Sequence, residues 1–132
     1  MQVPGNLRYS KEHEWIDASN PAEASVGITD YAQSHLGDVV YLEIQVKAGD
    51  TLAKDQTFAT VESVKAVSEI YAPVAGTVVA VNSGLVDAPE RINSDPYGDA
   101  WLVKIEVTGA GEVDALMSAD AYQAFVEAET NA

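Results

Sequence analysis

Cysteine is absent from the 132-residue chain. That excludes disulfides, thiolate zinc sites, iron–sulfur clusters and a cysteine nucleophile. Histidine is scarce, at His13 and His35 only. Neither has the second histidine one helical turn away that an HExxH zinc pair requires, so no metal site is expected. Basic residues are few, 7 Lys and Arg against 21 Asp and Glu, for a net charge of −14. So negative a chain repels nucleic-acid phosphates and anionic membrane surfaces, and neither is an expected partner. Basic patches on other proteins fit it better. No apolar run approaches the roughly 18 residues of a membrane span. Met1 to Ser10 holds nothing like the apolar stretch of a signal peptide. A cytoplasmic protein is the simplest expectation, with a mature mitochondrial matrix form as the alternative. No serine stands in a GxSxG elbow, and there is no Walker loop. Gly109-Ala110-Gly111 lacks the third glycine of a dinucleotide fingerprint and reads as the turn leaving a strand. Carboxylate pairs are too abundant to single one out as a glycosidase pair. A non-enzymatic role is the stronger expectation.

What is present is alternation of apolar and polar residues, the mark of strands. Glu14–Asp17, Ala24–Thr29, Asp38–Val46, Thr57–Ser63, Thr77–Asn82 and Ala100–Val107 read as strands. Alternation puts Val40, Leu42, Ile44 and Val46 on one face. It puts Phe58 and Thr60 opposite Ala59 and Val61, and groups Trp101, Val103, Ile105 and Val107. Turn signals stand at Ala48-Gly49-Asp50, Ala75-Gly76-Thr77 and Asp95–Asp99. Asp30–Leu36 reads as a short helix stopped by Gly37. Ser118–Glu129 reads as a C-terminal helix capped by Ser118, with Asp120 in its first turn. Its stripe of Tyr122, Phe125 and Val126 is expected to pack on the sheet. Many short strands separated by turns imply a mainly β fold, a sandwich or small barrel. The whole chain, residues 1–132, reads as one domain, with a core at about 24–107 and the helix at about 118–129. Gly37-Asp38-Val39-Val40 is echoed by Gly76-Thr77-Val78-Val79, which hints at two similar half-units joined near residues 63–67.

At that junction lies Glu62-Ser63-Val64-Lys65-Ala66-Val67-Ser68-Glu69. Strand-like runs flank it, so Lys65 falls where a hairpin turns. A lysine there is exposed on a rigid frame, as the anchor of a swinging covalent cofactor must be. An edge lysine that discourages aggregation is the simpler rival. A Schiff-base lysine needs a depressed pKa, whereas Glu62 and Glu69 favour its charged form.

The residues around Lys65 resemble the lipoyl-attachment motif of the glycine cleavage system H-protein family. Tyr9-Ser10-Lys11-Glu12-His13-Glu14-Trp15 is similar to that family's N-terminal block. Val26–Gln33 with Leu36-Gly37-Asp38 resembles its next block, and Glu62-Ser63-Val64-Lys65-Ala66 its attachment block. Asn93–Leu102 and Met117–Tyr122 resemble two further blocks. Biotinyl domains usually flank the lysine with methionines, and the lipoyl domains of 2-oxo acid dehydrogenases carry Asp before it. Here the neighbours are Val64 and Ala66.

The resemblance implies a two-sheet antiparallel sandwich of the lipoyl-domain hammerhead type. It has a short internal helix and a C-terminal helix. It implies lipoate joined by an amide to Lys65, with Glu62, Ser63, Val64 and Ala66 recognised by a lipoate-attaching enzyme. It implies a carrier rather than an enzyme, serving three partners. A pyridoxal-phosphate-dependent glycine decarboxylase loads an aminomethyl group. A tetrahydrofolate-dependent aminomethyltransferase removes it. Dihydrolipoamide dehydrogenase reoxidises the arm. The family shelters the loaded arm in a cleft on the carrier. Glu14, His35 and Glu69 are the candidate docking residues, with Glu12 and His13 behind them. A relay of lipoyl groups to other complexes is the alternative that the attachment motif leaves open.

Overall fold

The computed structural model describes residues 1–130. Nine strands form: β1 (Arg8–Tyr9), β2 (Glu14–Asp17), β3 (Ala24–Ile28), β4 (Val39–Ile44), β5 (Thr51–Leu52), β6 (Thr57–Ser63), β7 (Val67–Tyr71), β8 (Gly76–Val81) and β9 (Val103–Val107). They build a six-stranded sheet, ordered β1-β2-β3-β9-β8-β5, and a three-stranded sheet, ordered β4-β6-β7. Every strand pair is antiparallel. This is the expected mainly β, two-sheet architecture. Its main core gathers Ile16, Val26, Leu42, Phe58, Val61, Val78 and Ile105 among others.

Among the described residues there are also five α-helices, α1 (Asp30–Leu36), α2 (Ser83–Asp87), α3 (Arg91–Ser94), α4 (Ala110–Asp114) and α5 (Ala119–Thr130), and one 3-10 turn at Pro21–Glu23. α1 starts where Thr29 Oγ1 accepts the Ala32 N–H at 3.1 Å. It stops at Gly37, whose φ of 75° and ψ of −155° lie where a side chain is not tolerated. Ser118 caps α5 as expected, its Oγ accepting the Ala121 N–H at 3.3 Å. The stripe on α5 packs against the N-terminal strands. Tyr122 and Val126 join Leu7, Tyr9 and Trp15 in a second apolar cluster. The Tyr9 and Tyr122 rings stack with centroids 4.6 Å apart.

The structure departs from simple alternation at three β-bulges. In β4, Val39 pairs with Ser63 and Tyr41 with the adjacent Glu62, so Val40 is an extra residue. Val39 is consequently buried and Val40 is 54 % exposed, against the expectation that Val40 shares a face with Leu42. β8 repeats the pattern, because Val78 pairs with Ile105 and Ala80 with Lys104, leaving Val79 unpaired and 42 % exposed. The echoed Val-Val steps are therefore the same device, one in each sheet. In β6 the extra residue is Phe58, and Phe58 and Ala59 are both buried instead of facing opposite ways. β9 begins only at Val103, so Trp101 precedes it; its ring is half-buried, with Lys104 Nζ 5.0 Å from the ring centroid. Gly109 does not simply end the strand, because Ala110 and Gly111 open α4.

Candidate functional site: the Lys65 hairpin and its cleft

β6 and β7 pair up to Glu62 opposite Val67 and then turn. Ser63 closes the turn. Its N–H donates to Ala66 O at 2.8 Å, and its Oγ accepts from the N–H groups of Lys65 at 3.3 Å and Ala66 at 3.0 Å. The Val64 N–H donates to Asp38 O at 3.0 Å and ties the tip to the segment before β4. Lys65 is exposed and forms no ion pair among the described residues. Its aliphatic stem crosses Gly37, where a Cβ would stand 3.4 Å from Lys65 Cε. A glycine at the end of α1 thus serves both the helix stop and the path of the lysine stem.

Asn93 holds this support in place. Its Nδ2 donates to Gly37 O at 2.8 Å and Gln33 Oε1 at 3.0 Å, and its Oδ1 accepts the Val39 N–H at 2.8 Å. Asn93→Ala should therefore destabilise the protein by about 2–4 kcal/mol, since it strands a backbone donor and an acceptor at once. Urea unfolding checks this. A loss below about 0.5 kcal/mol would show that the cradle under Lys65 does not depend on Asn93.

Around the tip, Val40, Tyr41, Val64 and Val67 form an exposed apolar collar. Tyr41, Glu62 and Val67 are cross-strand neighbours on the outer face of the small sheet. Glu43 and Glu69 flank Thr60 in the next row, so acidic residues border the collar.

A cleft of about 340 Å³ opens beside the hairpin. Ile28, Ala32, Leu36 and Ile70 give it an apolar lining, and Glu12, His13, Tyr31, His35, Ser68 and Glu129 a polar one. Its wall reaches the end of α1 at Leu36, the residue before the Gly37 that the lysine stem crosses. His35 sits on the Tyr31 ring, centroids 4.1 Å apart. His13 takes a left-handed backbone, φ 70°. Its Nδ1 is 2.9 Å from Tyr122 Oη and its Nε2 is 3.3 Å from Glu129 Oε2. Burial holds the His13 pKa below its ordinary value, against the opposing pull of Glu129 and Glu12. A larger hollow of about 400 Å³, walled by Lys11, Lys54, Asp55 and Met117 among others, includes no hairpin residue.

The candidate docking residues separate in space. His35, His13 and Glu12 line the cleft, whereas Glu14 and Glu69 are not among its walls. Glu14 is 1 % exposed. It accepts from Ser10 Oγ at 2.6 Å and from the Tyr71 N–H at 3.3 Å. Burial pushes its pKa up to about 7, although both hydrogen bonds oppose the shift. Glu69 is exposed on the outer face and accepts from Tyr71 Oη at 3.3 Å. Glu129 is a cleft residue that the sequence did not single out. Its position does carry a signal, seven residues after Tyr122 and three after Val126, on one helical face.

A two-sheet sandwich that displays a lysine on a hairpin tip beside a cleft has the form of a carrier domain for a covalently attached group. The family profile described as glycine cleavage H-protein matches residues 7–129. The glycine cleavage system H protein of Acidobacterium capsulatum is 53 % identical over 130 residues, covering 98 % of both chains. That of Brevibacillus brevis is 50 % identical over 127 residues, covering 96 % of this chain and 99 % of the relative. The crystal structure of a glycine cleavage system H protein from Mycobacterium marinum superimposes with a TM-score of 0.83 at 38 % identity, covering 91 % of this chain and 95 % of that one. The chain belongs to the glycine cleavage H-protein family.

Proposed function

We propose that this protein is the lipoyl carrier of a glycine cleavage system and that Lys65 bears the lipoyl group. The single observation that carries the proposal is the placement of Lys65: exposed at a closed hairpin tip, its stem directed over Gly37 beside the cleft. The cleft fits such an arm, because Ile28, Ala32, Leu36 and Ile70 suit a hydrocarbon chain and the polar walls suit its cargo. When bound, lipoate would supply a disulfide able to take an aminomethyl group on one sulfur and to remain, once that group is passed on, as an attached dithiol. The protein's own residues anchor, orient and shelter. Ser63 and Asp38 fix the tip, Gly37 clears the path, and the cleft excludes water from the cargo.

The partners follow as a glycine decarboxylase, an aminomethyltransferase, dihydrolipoamide dehydrogenase and a lipoate-attaching enzyme. The bacterial relatives support a cytoplasmic location. The decisive test is reconstitution. The lipoylated chain should support glycine-dependent carbon dioxide exchange by the decarboxylase and should not accept acyl groups from a 2-oxo acid dehydrogenase. The reverse result would place it in another carrier class.

The attaching enzyme meets the chain before any arm exists and must recognise the surface flanking Lys65 itself. The collar supplies that surface. Replacing Tyr41 and Val67 together by serine should slow lipoate attachment about tenfold, the loss of a modest contact of about 1.4 kcal/mol. The melting temperature should hardly move, because both side chains are exposed. Kinetics of attachment read by mass spectrometry check this, and an unchanged rate removes the collar from recognition.

A further inference from the structure

The hairpin tip is held in place from outside. Among the described residues, positions 64–66 make one hydrogen bond beyond their own hairpin, from the Val64 N–H to Asp38 O at 3.0 Å. The Asp38 C=O shares a planar peptide unit with the Val39 N–H, and the two point opposite ways. Asn93 Oδ1 accepts that N–H at 2.8 Å. One rigid plane is thus gripped by Asn93 on one edge and grips the tip with the other. Asn93 Nδ2 also holds Gly37 O at 2.8 Å, on the peptide before Asp38. The Lys65 stem crosses this same Gly37. Asn93 therefore sets both the backbone that ties the tip and the surface beneath the lysine stem. Asn93 is itself seated by α3, whose Ile92 is fully buried.

A second amide fixes which way Asn93 faces. Gln33 Nε2 donates to Asp30 Oδ1 at 2.6 Å, and Asp30 Oδ2 accepts the Gln2 N–H at 2.8 Å. An ionised carboxylate only accepts, so Gln33 turns its nitrogen to Asp30 and its oxygen to Asn93. Gln33 Oε1 then accepts from Asn93 Nδ2 at 3.0 Å. Asn93 is left with its oxygen toward Val39. A reversed Asn93 would set its oxygen against Gly37 O and Gln33 Oε1, and its nitrogen against the Val39 N–H. Asp30 and Gln33, both on α1, thus select the arrangement in which every partner matches.

We propose that Asn93, oriented by Asp30 and Gln33, is a positioning residue for the acylation of Lys65. The inference rests on the carrier reading and deepens it, since attachment then depends on a residue outside the attachment motif. In that step the Lys65 amine attacks the acyl carbon of lipoate activated as its adenylate. The carbon–nitrogen bond forms, the bond from the acyl carbon to the phosphate oxygen breaks, AMP leaves, and the amine proton passes to solvent. The exposed collar brings the attaching enzyme to the chain. Asn93 acts on the chemical step instead, through Asp38 and Val64, because a tip held in one place keeps the amine aligned with the acyl carbon.

The test uses the full chain without its arm, a lipoate-attaching enzyme, lipoate and ATP, with attachment followed by intact mass. Asn93→Asp is isosteric and keeps an acceptor for Val39, but it turns an oxygen toward Gly37 O and Gln33 Oε1. It should lower kcat for attachment about tenfold and leave KM for the chain unchanged. Gln33→Ala keeps the Gly37 and Val39 contacts but frees the Asn93 amide to turn, and should lower kcat about threefold. The Val64 amide should exchange with deuterium about tenfold faster in Asn93→Asp, because the tip then opens locally. Leu7→Ala, a truncation in the second apolar cluster, tests for mere loss of stability. It should match the wild type in both readouts, since an exposed tip opens without global unfolding. Wild-type kcat in both Asn93→Asp and Gln33→Ala overturns the inference, and so does unchanged Val64 exchange in Asn93→Asp. A rise in KM alone overturns it too and would make Asn93 part of the recognised surface. Equal slowing by Leu7→Ala overturns it by reducing the effect to stability. An unmodified wild-type chain would instead sink the carrier reading, with Val64 exchange still showing whether Asn93 holds the tip.

Discussion

Lys65→Ala should eliminate lipoate attachment and all carrier turnover while leaving the fold intact. The side chain is exposed and without an ion pair among the described residues, so its removal costs little stability. A change of at most about 0.5 kcal/mol is expected, as for ordinary surface positions. On the proposed attachment, function should disappear entirely, because the amide would need an amine at this position. Lys65→Arg should be just as inactive, since a guanidinium stays protonated and does not acylate. Lys11, Lys47, Lys54 and Lys104 stand off the hairpin and cannot substitute for it. The measurements are lipoyl incorporation by mass and melting by circular dichroism. Unfolding of either variant would make Lys65 structural. Residual incorporation at another lysine would mean that the hairpin frame does not select the site.

Glu14→Gln should remove a pH dependence of stability while preserving the fold. The folded-state pKa of about 7 lies above the ordinary 4.5 because the carboxylate is buried. The folded protein therefore holds the Glu14 proton more tightly than the unfolded chain does. This contribution to stability is fully present below pH 4.5 and is lost as pH rises through 7. At pH 8 the folded state bears an ionised buried carboxylate, at a cost of at most about 3 kcal/mol. A glutamine can accept from the Tyr71 N–H through its oxygen and donate to Ser10 Oγ through its nitrogen, so the site stays satisfied. Urea unfolding at pH 5 and pH 8 should show wild type losing up to about 3 kcal/mol more than Glu14→Gln over that range. Parallel curves for the two proteins would contradict the assignment of this titration to Glu14.

Both residues illustrate what could be read from the chain alone. Local signals placed β2, β6 and α1 at the residues they occupy, because Glu14–Asp17 and Thr57–Ser63 alternate and Thr29 and Gly37 punctuate a helix. The bulges escaped because an extra residue changes which face a side chain takes without changing the sequence pattern. Val40 and Val79 look no different from their buried neighbours. Two-residue strands such as β5 and helices as short as α3 have no period to detect. The hairpin position of Lys65 was legible because the two strands and the turn between them are contiguous in sequence. The cleft was not, since its walls come from residues 12–13, 28–36, 68–70 and 129. In a chain with 21 acidic residues, charge alone could not tell buried Glu14 from cleft-lining Glu129. His13, left-handed in its backbone and one residue before β2, lines the cleft, while the next residue, Glu14, is buried.

The central claim concerns one covalent bond. Intact-mass spectrometry of the protein purified from its own cells, followed by peptide mapping, should find a single lipoyl group and place it on Lys65. Protein that carries no lipoyl group, and gains none when incubated with a lipoate-attaching enzyme, lipoate and ATP, would contradict the carrier function.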